Sequence, residues 1–561
     1  MLRNVLDVDF EAQIISLRTR RGAIVLFDFK SAFPSISHDY LWEALLAVGL
    51  PEKYVQTLQL FYKHNKHFLK LGGKFYESVE VRSGVRQGCP LSPILFALVV
   101  DVMLRELAEI LGDKGIVKAF ADDTAVVLDD YVSVAPAVAH LFWEFERISA
   151  LSLNIAKTIF IPLWPVSCFR NLRTAVSDVC PLWKDIELQT YGKYLGFMVG
   201  PGSPEHIWSK PLHKYLQRAK EWASLNLGIF YNLMVYRTFI SSTLSFVMQL
   251  DEDPPSLVED TMSALRLLLS GPGSWITLAD ASHLKRSYHF PLEFSSLVSL
   301  SLACKSRVLD TIARDSSSKA KQLQEALITH GRRPFPMWHR QCFFSVLARS
   351  ECVLQEHGIT PPAILRQTGR KGNLSFQSGA LQLITQKCEA TYYAESRVRQ
   401  KLACWKLSGI PGVVERRIVS NMRFLADNAP PRVSAVYFKA VWNGWVTDTR
   451  MRSLYMQQGH SIRSCMLMCG QGPDSVQHYA VCSVFWQFLV DVVQVPAKWR
   501  SRDAFLLVCD GMCPRVKLQV AGACYVLHQA VQALRHKDHS VPLQPGTLLR
   551  CWYPRCGCKV G

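Results

Sequence analysis

The pattern of apolar and polar positions predicts that the first 200 residues mix β-strands with helices. Residues 22–29 (GAIVLFDF) form an apolar run that is typical of a buried central strand. Residues 116–128 (IVKAFADDTAVVL) place two strand-forming runs around a tight acidic turn, and residues 67–81 predict a second hairpin that turns at two glycines. Helices are predicted for 1–21, 40–48, 52–65 and the strongly apolar 94–111.

Beyond residue 200 the pattern is that of helices. Aromatic and basic residues recur at helical spacing over 208–222, and a single further helix is predicted for 231–249. Residues 251–255 predict a linker, and 257–437 is mostly helical with breaks at glycine and proline clusters. The predicted domains are 1–200, which is α+β; 204–250 and 257–440, both helical; 461–490, a Cys/His segment; and 491–561, a tail without an assigned role.

The composition of the chain indicates the kind of molecule that it binds. A chain of 561 residues with 49% hydrophobic residues has enough apolar material for several globular domains. Its 64 basic and 46 acidic residues give a formal net charge of +18. A surplus of that size favours a polyanionic partner, most often nucleic acid, although membrane-surface proteins share it.

Several features predict an intracellular protein, nuclear or cytoplasmic, that is neither secreted nor bound to a membrane. The longest apolar run, residues 93–104, is interrupted by Asp101 and is too short to span a bilayer. The N-terminus has no apolar signal core behind a basic start. Seventeen cysteines at irregular spacing indicate reduced thiols and a metal site rather than a disulfide framework.

Three aspartates are the first candidates for chemistry. Asp28 ends the apolar run, where an ionised carboxylate costs several kcal/mol unless it is paired or metal-bound. Asp122 and Asp123 are adjacent at the acidic turn, and a hard divalent cation such as Mg²⁺ would relieve their repulsion. The alternatives are a salt bridge or helix cap for Asp28 and a solvated turn for the other two.

Three segments, in order and spacing, resemble the palm of a reverse transcriptase of the non-LTR (LINE-like) retrotransposon lineage. They are residues 27–33 (FDFKSAF), 84–93 (GVRQGCPLSP) and 120–123 (FADD). Residues 153–158 (LNIAKT) and 194–197 (YLGF) are weaker matches to the fourth palm motif and the primer-grip hairpin of that family. The resemblance covers about residues 5–249. It implies an α+β polymerase palm, with an antiparallel sheet packed on helices, followed by a helical thumb and a mostly α-helical C-terminal region.

The resemblance also implies an activity. The protein would be an RNA-directed DNA polymerase that extends a DNA primer on an RNA template, using deoxynucleoside triphosphates. Asp28 and Asp122 would hold two Mg²⁺ ions for two-metal nucleotidyl transfer, with Asp123 as a weaker ligand.

Five further residues are assigned to nucleotide binding by the same resemblance. Phe33 corresponds to an aromatic gate that crowds a ribose 2′-hydroxyl; its alternative is a core aromatic. Phe29 lies in the same motif, and Gln87 and Gly88 would line the nascent base pair and the template. Lys157 would donate a proton to pyrophosphate, or is simply a solvated lysine.

A second metal site is predicted near the C-terminus. Cys465, Cys469, His478 and Cys482 follow the pattern Cys-x₃-Cys-x₈-His-x₃-Cys, which can close a tetrahedral zinc site. Many non-LTR elements carry a similar zinc knuckle after the polymerase. The alternative is a set of buried free thiols. Three further cysteines have no evident fourth ligand: Cys551, Cys556 and Cys558.

The start of the chain raises an expectation about its origin. The strand at 22–29 leaves no room before it for a fingers subdomain, and neither an upstream endonuclease domain nor a downstream nuclease core is recognisable. A reverse transcriptase truncated before the palm is therefore expected. The alternative functions are a catalytically impaired nucleic-acid-binding remnant of such an element and a group II intron maturase. The oligomeric state is not predicted.

Overall fold

The computed structural model describes residues 1–561 except 203–206, 330–337, 339–340, 369–374, 389–390, 408, 453–460, 537–548 and 551–561. The chain divides into two compact units. Unit 1 comprises Met1–Lys210, Val247–Glu252 and Cys304–Leu365, and unit 2 comprises Pro211–Phe246, Asp253–Ala303 and Arg366–Gly561. The tail cysteines Cys551, Cys556 and Cys558 lie outside the described residues.

Unit 1 is built on a five-stranded sheet with strand order β4-β5-β1-β6-β7. The strands of the chain are β1 (Ala23–Phe27), β2 (Lys66–Leu71), β3 (Lys74–Glu80), β4 (Gly115–Phe120), β5 (Asp123–Leu128), β6 (Ile159–Pro162), β7 (Glu187–Leu188), β8 (Gly192–Tyr194) and β9 (Phe197–Val199). All pairs in the sheet are antiparallel except β6 with β7, which is parallel. The predicted antiparallel sheet is therefore confirmed, apart from one short parallel edge.

Helices cover this sheet. The helices through residue 179 are α1 (Leu2–Arg18), α2 (Ala32–Ser35), α3 (His38–Ala47), α4 (Glu52–Tyr62), α5 (Ser92–Leu111), α6 (Tyr131–Ser149) and α7 (Phe169–Val179). Every residue of β1 is buried, so the central strand has apolar neighbours on both faces. Ala23, Val25 and Phe27 pack into a core with residues of α3, α5 and α6. The continuous apolar run in the sequence is explained by this double burial.

Two hairpins stand apart from the sheet. β2 and β3 turn at Gly72 and Gly73, whose φ values of +56° and +82° suit glycine, and every residue of both strands is exposed. β8 and β9 pair from Gly192–Val199 to Tyr194–Phe197. The first hairpin follows the sequence prediction closely, because its turn is encoded by two glycines, and the second contains residues 194–197, which the family resemblance matches to a hairpin.

The helix predicted for 231–249 is wrong as a single element. The structure has a helix α9 (Ile229–Val235), a π-helical turn (Tyr236–Ile240) and 3₁₀ turns at Ser241–Thr243 and Val247–Gln249. The hydroxyls of the Ser/Thr run bond backwards to main-chain carbonyls, for example Ser242 to Thr238 at 2.8 Å. Such bonds compete with regular helix geometry.

The remaining helices include α8, which precedes α9. They are α8 (Ser209–Ala223), α10 (Leu257–Leu268), α11 (Leu278–Ser282), α12 (Leu284–Tyr288), α13 (Leu297–Thr311), α14 (Ser316–Thr329), α15 (Phe343–Glu356), α16 (Pro361–Thr368), α17 (Phe376–Lys387), α18 (Ala394–Leu402), α19 (Val413–Asn428), α20 (Pro431–Val441), α21 (Val476–Tyr479), α22 (Ser483–Asp491), α23 (Arg502–Phe505) and α24 (Pro514–His536).

The compact units differ from the predicted domain boundaries. The segment Cys304–Leu365, which lies inside the predicted connector of 257–440, belongs to unit 1. There Phe344 packs edge-on against Phe10 of α1 at 5.7 Å, and the Phe343 N–H donates to the buried Asp9 carboxylate at 2.9 Å. The connector is therefore not one structural unit. Among the described residues, no helix combines the length and apolarity needed to cross a membrane.

Candidate active site and metal centre

The three predicted aspartates lie at one end of the sheet. Phe27 pairs with Thr124 in the last pair between β1 and β5, and continuing that register places Asp28 beside Asp123, where antiparallel neighbours have Cα atoms about 5 Å apart. The hairpin closes with Phe120 opposite Asp123, which leaves Ala121 and Asp122 as its two turn residues. Strand register therefore brings together acidic residues that are almost a hundred positions apart in the chain.

Electrostatics confirms that these carboxylates share a neighbourhood. The pKa of Asp123 is raised, first because the surrounding chain displaces water, and then because Asp122 and Asp28 repel its charge. Lys193 acts in the opposite direction. Among the described residues, only the Cys/His cluster near the C-terminus brings three or more possible ligand atoms close enough to hold an ion. The aspartates converge without meeting that condition.

The fourth predicted motif is tied to the backbone of Asp28. The Asp28 N–H donates to the Thr158 hydroxyl at 3.4 Å, and the Asn154 N–H donates to the Asp28 carbonyl at 2.7 Å. Lys157 lies in this segment with an exposed side chain. The structure thus brings the Lys157 segment to the end of β1, as the motif order predicts.

The two aromatic residues assigned to nucleotide binding differ in exposure. Phe33 is half-buried and stacks on Phe96, with ring centroids 4.6 Å apart. Phe29 is buried in the core, with its ring 6.0 Å from that of Phe142. The Phe29 side chain is enclosed by apolar neighbours, so in a nucleotide site only its backbone could face the ligand.

The glycine-rich loop lies against the turn that follows Asp28. The Gly84 N–H donates to the Ile36 carbonyl at 2.7 Å, and a Cβ at Gly84 would overlap the backbone of Pro34. Gly84 also has φ +78°, a conformation that favours glycine. Gln87 and Gly88 follow with exposed surfaces on the same loop. This close approach explains why the loop needs glycine at its first position.

One residue at the site escaped the sequence analysis. Lys193, on β8, is a cation whose charge partly offsets the rise in the pKa of Asp123. The β8–β9 hairpin is held to the sheet by Tyr194, whose hydroxyl donates to the Lys118 carbonyl at 2.8 Å. Lys193 could have been found from the sequence, because it immediately precedes residues 194–197, which match the primer-grip hairpin of the family.

The predicted basic and aromatic face over 208–222 is only partly exposed. Tyr215 is fully enclosed and Trp208 is buried, so these rings stabilise the core instead of presenting a surface. Lys210, Lys214 and Lys220 are exposed. The exposed surface of this helix is therefore basic rather than aromatic at these positions.

The four predicted zinc ligands converge. The ligand atoms of Cys465, Cys469, His478 and Cys482 all lie within 4.8 Å of one another. The Cys465 and Cys482 sulfurs are 3.9 Å apart, and the Cys469 sulfur is 3.1 Å from the His478 Nε2. Gly472 packs so closely on the His478 ring that a Cβ there would overlap it. The cluster can hold a metal ion.

One thiol of this cluster, that of Cys482, is favoured in its ionised form. A hydrogen bond from Cys465 lowers the pKa of Cys482 to about 5, while the pKa of Cys465 is raised. Main-chain N–H groups at the start of α22 add to the effect on Cys482. A thiolate is the form that binds a metal, so the local structure favours ligation.

An ion-pair network holds the loop that carries the cluster. Arg463 binds Asp448 at 2.8 Å, and Arg535 pairs with both Asp448 and Asp474. The Tyr479 hydroxyl donates to Asp474 at 2.6 Å. Although burial alone raises the pKa of Asp448, hydrogen bonds from Arg463 and Arg535 outweigh it and hold that pKa below its ordinary value. These buried charges are paired, which fixes the loop on both sides of the cluster.

Comparison with known proteins gives a consistent result. Residues 2–199 match the family model described as reverse transcriptase (RNA-dependent DNA polymerase). The Pol polyprotein of the R2DM retrotransposable element of Drosophila melanogaster is 34% identical over 139 residues, which are 24% of this chain and 13% of that protein. The corresponding R2 protein of Popillia japonica is 31% identical over 161 residues, 27% of this chain and 22% of that protein.

The chain thus spans less than a quarter of the length of either relative. A telomerase structure from Candida albicans, solved with a fragment of telomeric RNA, is 12% identical and covers 62% of this chain and 54% of its own, with a TM-score of 0.28. That score is too low to indicate a shared overall fold.

Proposed function

Residues 2–199 of this chain form a reverse transcriptase domain, related to those of non-LTR retrotransposons, and from that premise we propose that the protein is an RNA-directed DNA polymerase. It extends a DNA primer on an RNA template with deoxynucleoside triphosphates. The observation that carries the proposal is the strand register that, when continued, sets Asp28 beside Asp123 and the turn with Asp122. The comparisons favour neither a remnant without activity nor a maturase.

The donor chemistry of the three aspartates suits Mg²⁺, although their oxygens would have to move closer together to share an ion. Their carboxylates are hard oxygen donors of the kind Mg²⁺ prefers, and a cation would offset both the burial and the neighbouring negative charges that raise the pKa of Asp123. Asp28 and Asp122 would hold the ions, with Asp123 as the weaker ligand. When bound, Mg²⁺ supplies Lewis-acid activation of the primer 3′-hydroxyl and charge neutralisation at the triphosphate.

The other residues position the nucleotide. Phe33 crowds the 2′-hydroxyl of a ribonucleotide and so selects deoxynucleotides. Gly88, at φ +84° and with open space where a Cβ would be, lets the template approach the backbone, while Gln87 lines the nascent base pair. Lys157 donates a proton to the leaving pyrophosphate. Correct placement of this kind is most of catalysis in phosphoryl transfer.

Two further elements complete the proposal. The exposed lysines of α8 hold the template–primer duplex by its phosphates, as a thumb does. The Cys/His cluster binds one zinc ion, because three thiols and an imidazole at tetrahedral spacing are a zinc donor set. A structural zinc there stabilises the segment around α21 and α22.

The test is primer extension on RNA. Purified protein is incubated with Mg²⁺, a primed RNA template and labelled deoxynucleotides, and incorporation is compared between the wild type and Asp122→Asn. We expect Asp122→Asn to lower incorporation at least about a hundredfold, since a lost metal ligand removes several kcal/mol of transition-state stabilisation.

The matched control is Asp113→Asn, an exposed aspartate near the opposite end of β4, which should retain wild-type incorporation. Equal incorporation by the wild type and Asp122→Asn would contradict the proposal. Salt-sensitive nucleic-acid binding without incorporation by the wild type would also contradict it, in favour of a binding remnant.

A further inference from the structure

A cavity of about 620 Å³ opens in unit 2, away from the palm aspartates in the sequence. Its walls come from residues 226–231 before and within α9, from residues 430–439 at the start of α20, and from residues 525–529 of α24. The volume lies in the range of small-molecule sites. Nothing in the proposed polymerase chemistry uses this cavity.

The walls are positively charged. Arg432 and Lys439 line the cavity, and within the described part of the chain its lining contains no aspartate or glutamate. Lys439 lies over the Trp275 ring at 5.4 Å, and burial lowers its pKa, a cost that a bound anion would offset. The two cations and the absence of acidic side chains from the lining that the structure describes favour an anion.

Aromatic rings stand beside these charges. Phe230 and Tyr231 lie at the rim with ring centroids 5.1 Å apart, and Tyr231 has 53% of its surface exposed. Tyr525 also lines the cavity, with the Arg432 guanidinium over its ring at 5.7 Å. Flat ligands stack on such rings, and each stacked base adds substantial affinity.

Polar groups in the wall could read the edge of a flat ligand. The Nδ1 of His528 is buried and has no hydrogen-bond partner among the described residues. Burial, with the nearby charge of Lys439, lowers the pKa of His528 to about 3, so the ring is neutral and offers one donor and one acceptor. Gln529 adds an amide with both functions. A ligand in the cavity could supply the hydrogen-bond partner that this buried atom lacks among the described residues.

We propose that this cavity binds a nucleotide, with its phosphate against Arg432 and Lys439 and its base stacked on Tyr231 or Tyr525. The ligand chemistry is a phosphate joined to a flat base, supplied either by a free nucleotide or by an unpaired nucleotide of a single strand. The site is independent of the proposed polymerase activity, because none of its residues belongs to the palm.

The test is photocrosslinking to the purified full chain in buffer without Mg²⁺ or chelator, so that no Mg²⁺ chemistry takes place and the Cys/His cluster keeps its metal. One arm uses a single-stranded RNA oligonucleotide with one 4-thiouridine, and the other uses 4-thiouridine monophosphate. Mass spectrometry then locates the crosslinked peptides. We expect crosslinks at the peptides that contain Tyr231 or Tyr525, and a yield at limiting probe that falls at least about fivefold in Tyr231→Ala and in Arg432→Gln.

Arg515→Gln is the matched control, since it removes the same charge from an exposed position on α24 outside the cavity lining. Tyr231 and Arg432 are both exposed, so melting curves should show that their variants fold normally. Crosslinking by the oligonucleotide alone identifies a strand site, and crosslinking by both probes identifies a free-nucleotide site. Crosslinks confined to other peptides, or yields unchanged in both variants, would overturn the inference, whatever the outcome of primer extension.

Discussion

Phe33 is the residue at which the choice of sugar can be tested. In Phe33→Val the ring that crowds a 2′-hydroxyl is gone, so discrimination against ribonucleotides should fall at least about tenfold. The measurement is the ratio of kcat/KM for a deoxynucleotide to that for its ribonucleotide counterpart.

The control for this substitution is Phe96→Leu, which removes the stacking partner 4.6 Å away and leaves the Phe33 ring in place. A purely structural role for Phe33 would make both variants lose activity with both sugars equally. An unchanged ratio in Phe33→Val would therefore argue against a sugar gate.

His528 predicts a pH-dependent stability. Its pKa in the folded protein is lowered to about 3 from 6.5, so between those values the unfolded chain binds one more proton than the folded one. The contribution of neutral His528 to the free energy of unfolding is therefore complete above about pH 6.5. It decreases as the pH falls, by about 2 kcal/mol at pH 5. Chemical denaturation at pH 7 and pH 5 measures this loss, and His528→Gln should remove about 2 kcal/mol of it. An equal loss in the variant would mean that other groups dominate.

Single residues were predictable where a local motif carried them. Asp28, Asp122 and Asp123 stand at strand ends that the apolar pattern already defines. The burial of the Phe29 side chain was not predicted, because adjacent positions in an extended segment point to opposite sides, and only packing decides which side is core. His528 had no signal, since its burial depends on residues from three distant segments.

At the scale of the element, the loop at residues 84–88 gives the clearest test of where the backbone requires glycine. Gly84→Ala places a Cβ into the Pro34 backbone at a positive φ, and should cost at least about 2 kcal/mol of unfolding free energy. Gly88→Ala meets no neighbouring atom and should cost only about 1 kcal/mol for its φ of +84°.

Activity should separate the same two variants in a different way. If Gly88 lies against the template, Gly88→Ala raises the KM for primed RNA more than its small stability loss explains. Equal stability losses in the two variants would contradict the packing argument, and an unchanged KM would remove Gly88 from the template contact.

The Cys/His element predicts a measurable metal content. Purified protein should contain one zinc per chain by mass spectrometry, and Cys469→Ser should lose it and melt several degrees lower. Cys513→Ser, which alters an exposed free thiol outside the cluster, should keep both zinc and melting temperature. If the purified wild type contains no zinc and Cys469→Ser has the same melting curve as the wild type, the alternative of buried thiols is favoured.

Hairpins were predicted well and the helix at 231–249 poorly, for physical reasons. Gly72 and Gly73 define their turn without help from the rest of the chain. The helical region has the right apolar spacing, but the hydroxyls of residues 241–243 redirect backbone hydrogen bonds. The spacing of apolar residues does not reveal this competition between hydroxyls and backbone N–H groups for main-chain carbonyls.

For the whole molecule, the net charge of +18 predicts salt-sensitive binding of nucleic acid. If six phosphates are neutralised, affinity for RNA should fall roughly 10³-fold between 50 and 200 mM salt. Lys214→Gln, on the exposed side of α8, should reduce the slope of log affinity against log salt by about one. An affinity that does not change with salt would exclude phosphate contacts as the main source of binding.

The division into units was beyond the reach of sequence. Asp9 and Phe343 are bonded across 334 positions, and no local pattern announces such a pairing. The predicted linker at 251–255 does coincide with a crossing between units, but the return of Cys304–Leu365 to the first unit was not foreseen.

The position of Cys304–Leu365 late in the chain delays the folding of unit 1 during translation. Because Phe344 and the Phe343 N–H cover Phe10 and Asp9 of α1, this helix cannot be enclosed until 334 further residues have been added. At elongation rates of about 5–20 residues per second, the apolar ring and the carboxylate stay uncovered for tens of seconds. The core of unit 1 is therefore completed late in translation, although most of its strands are made early.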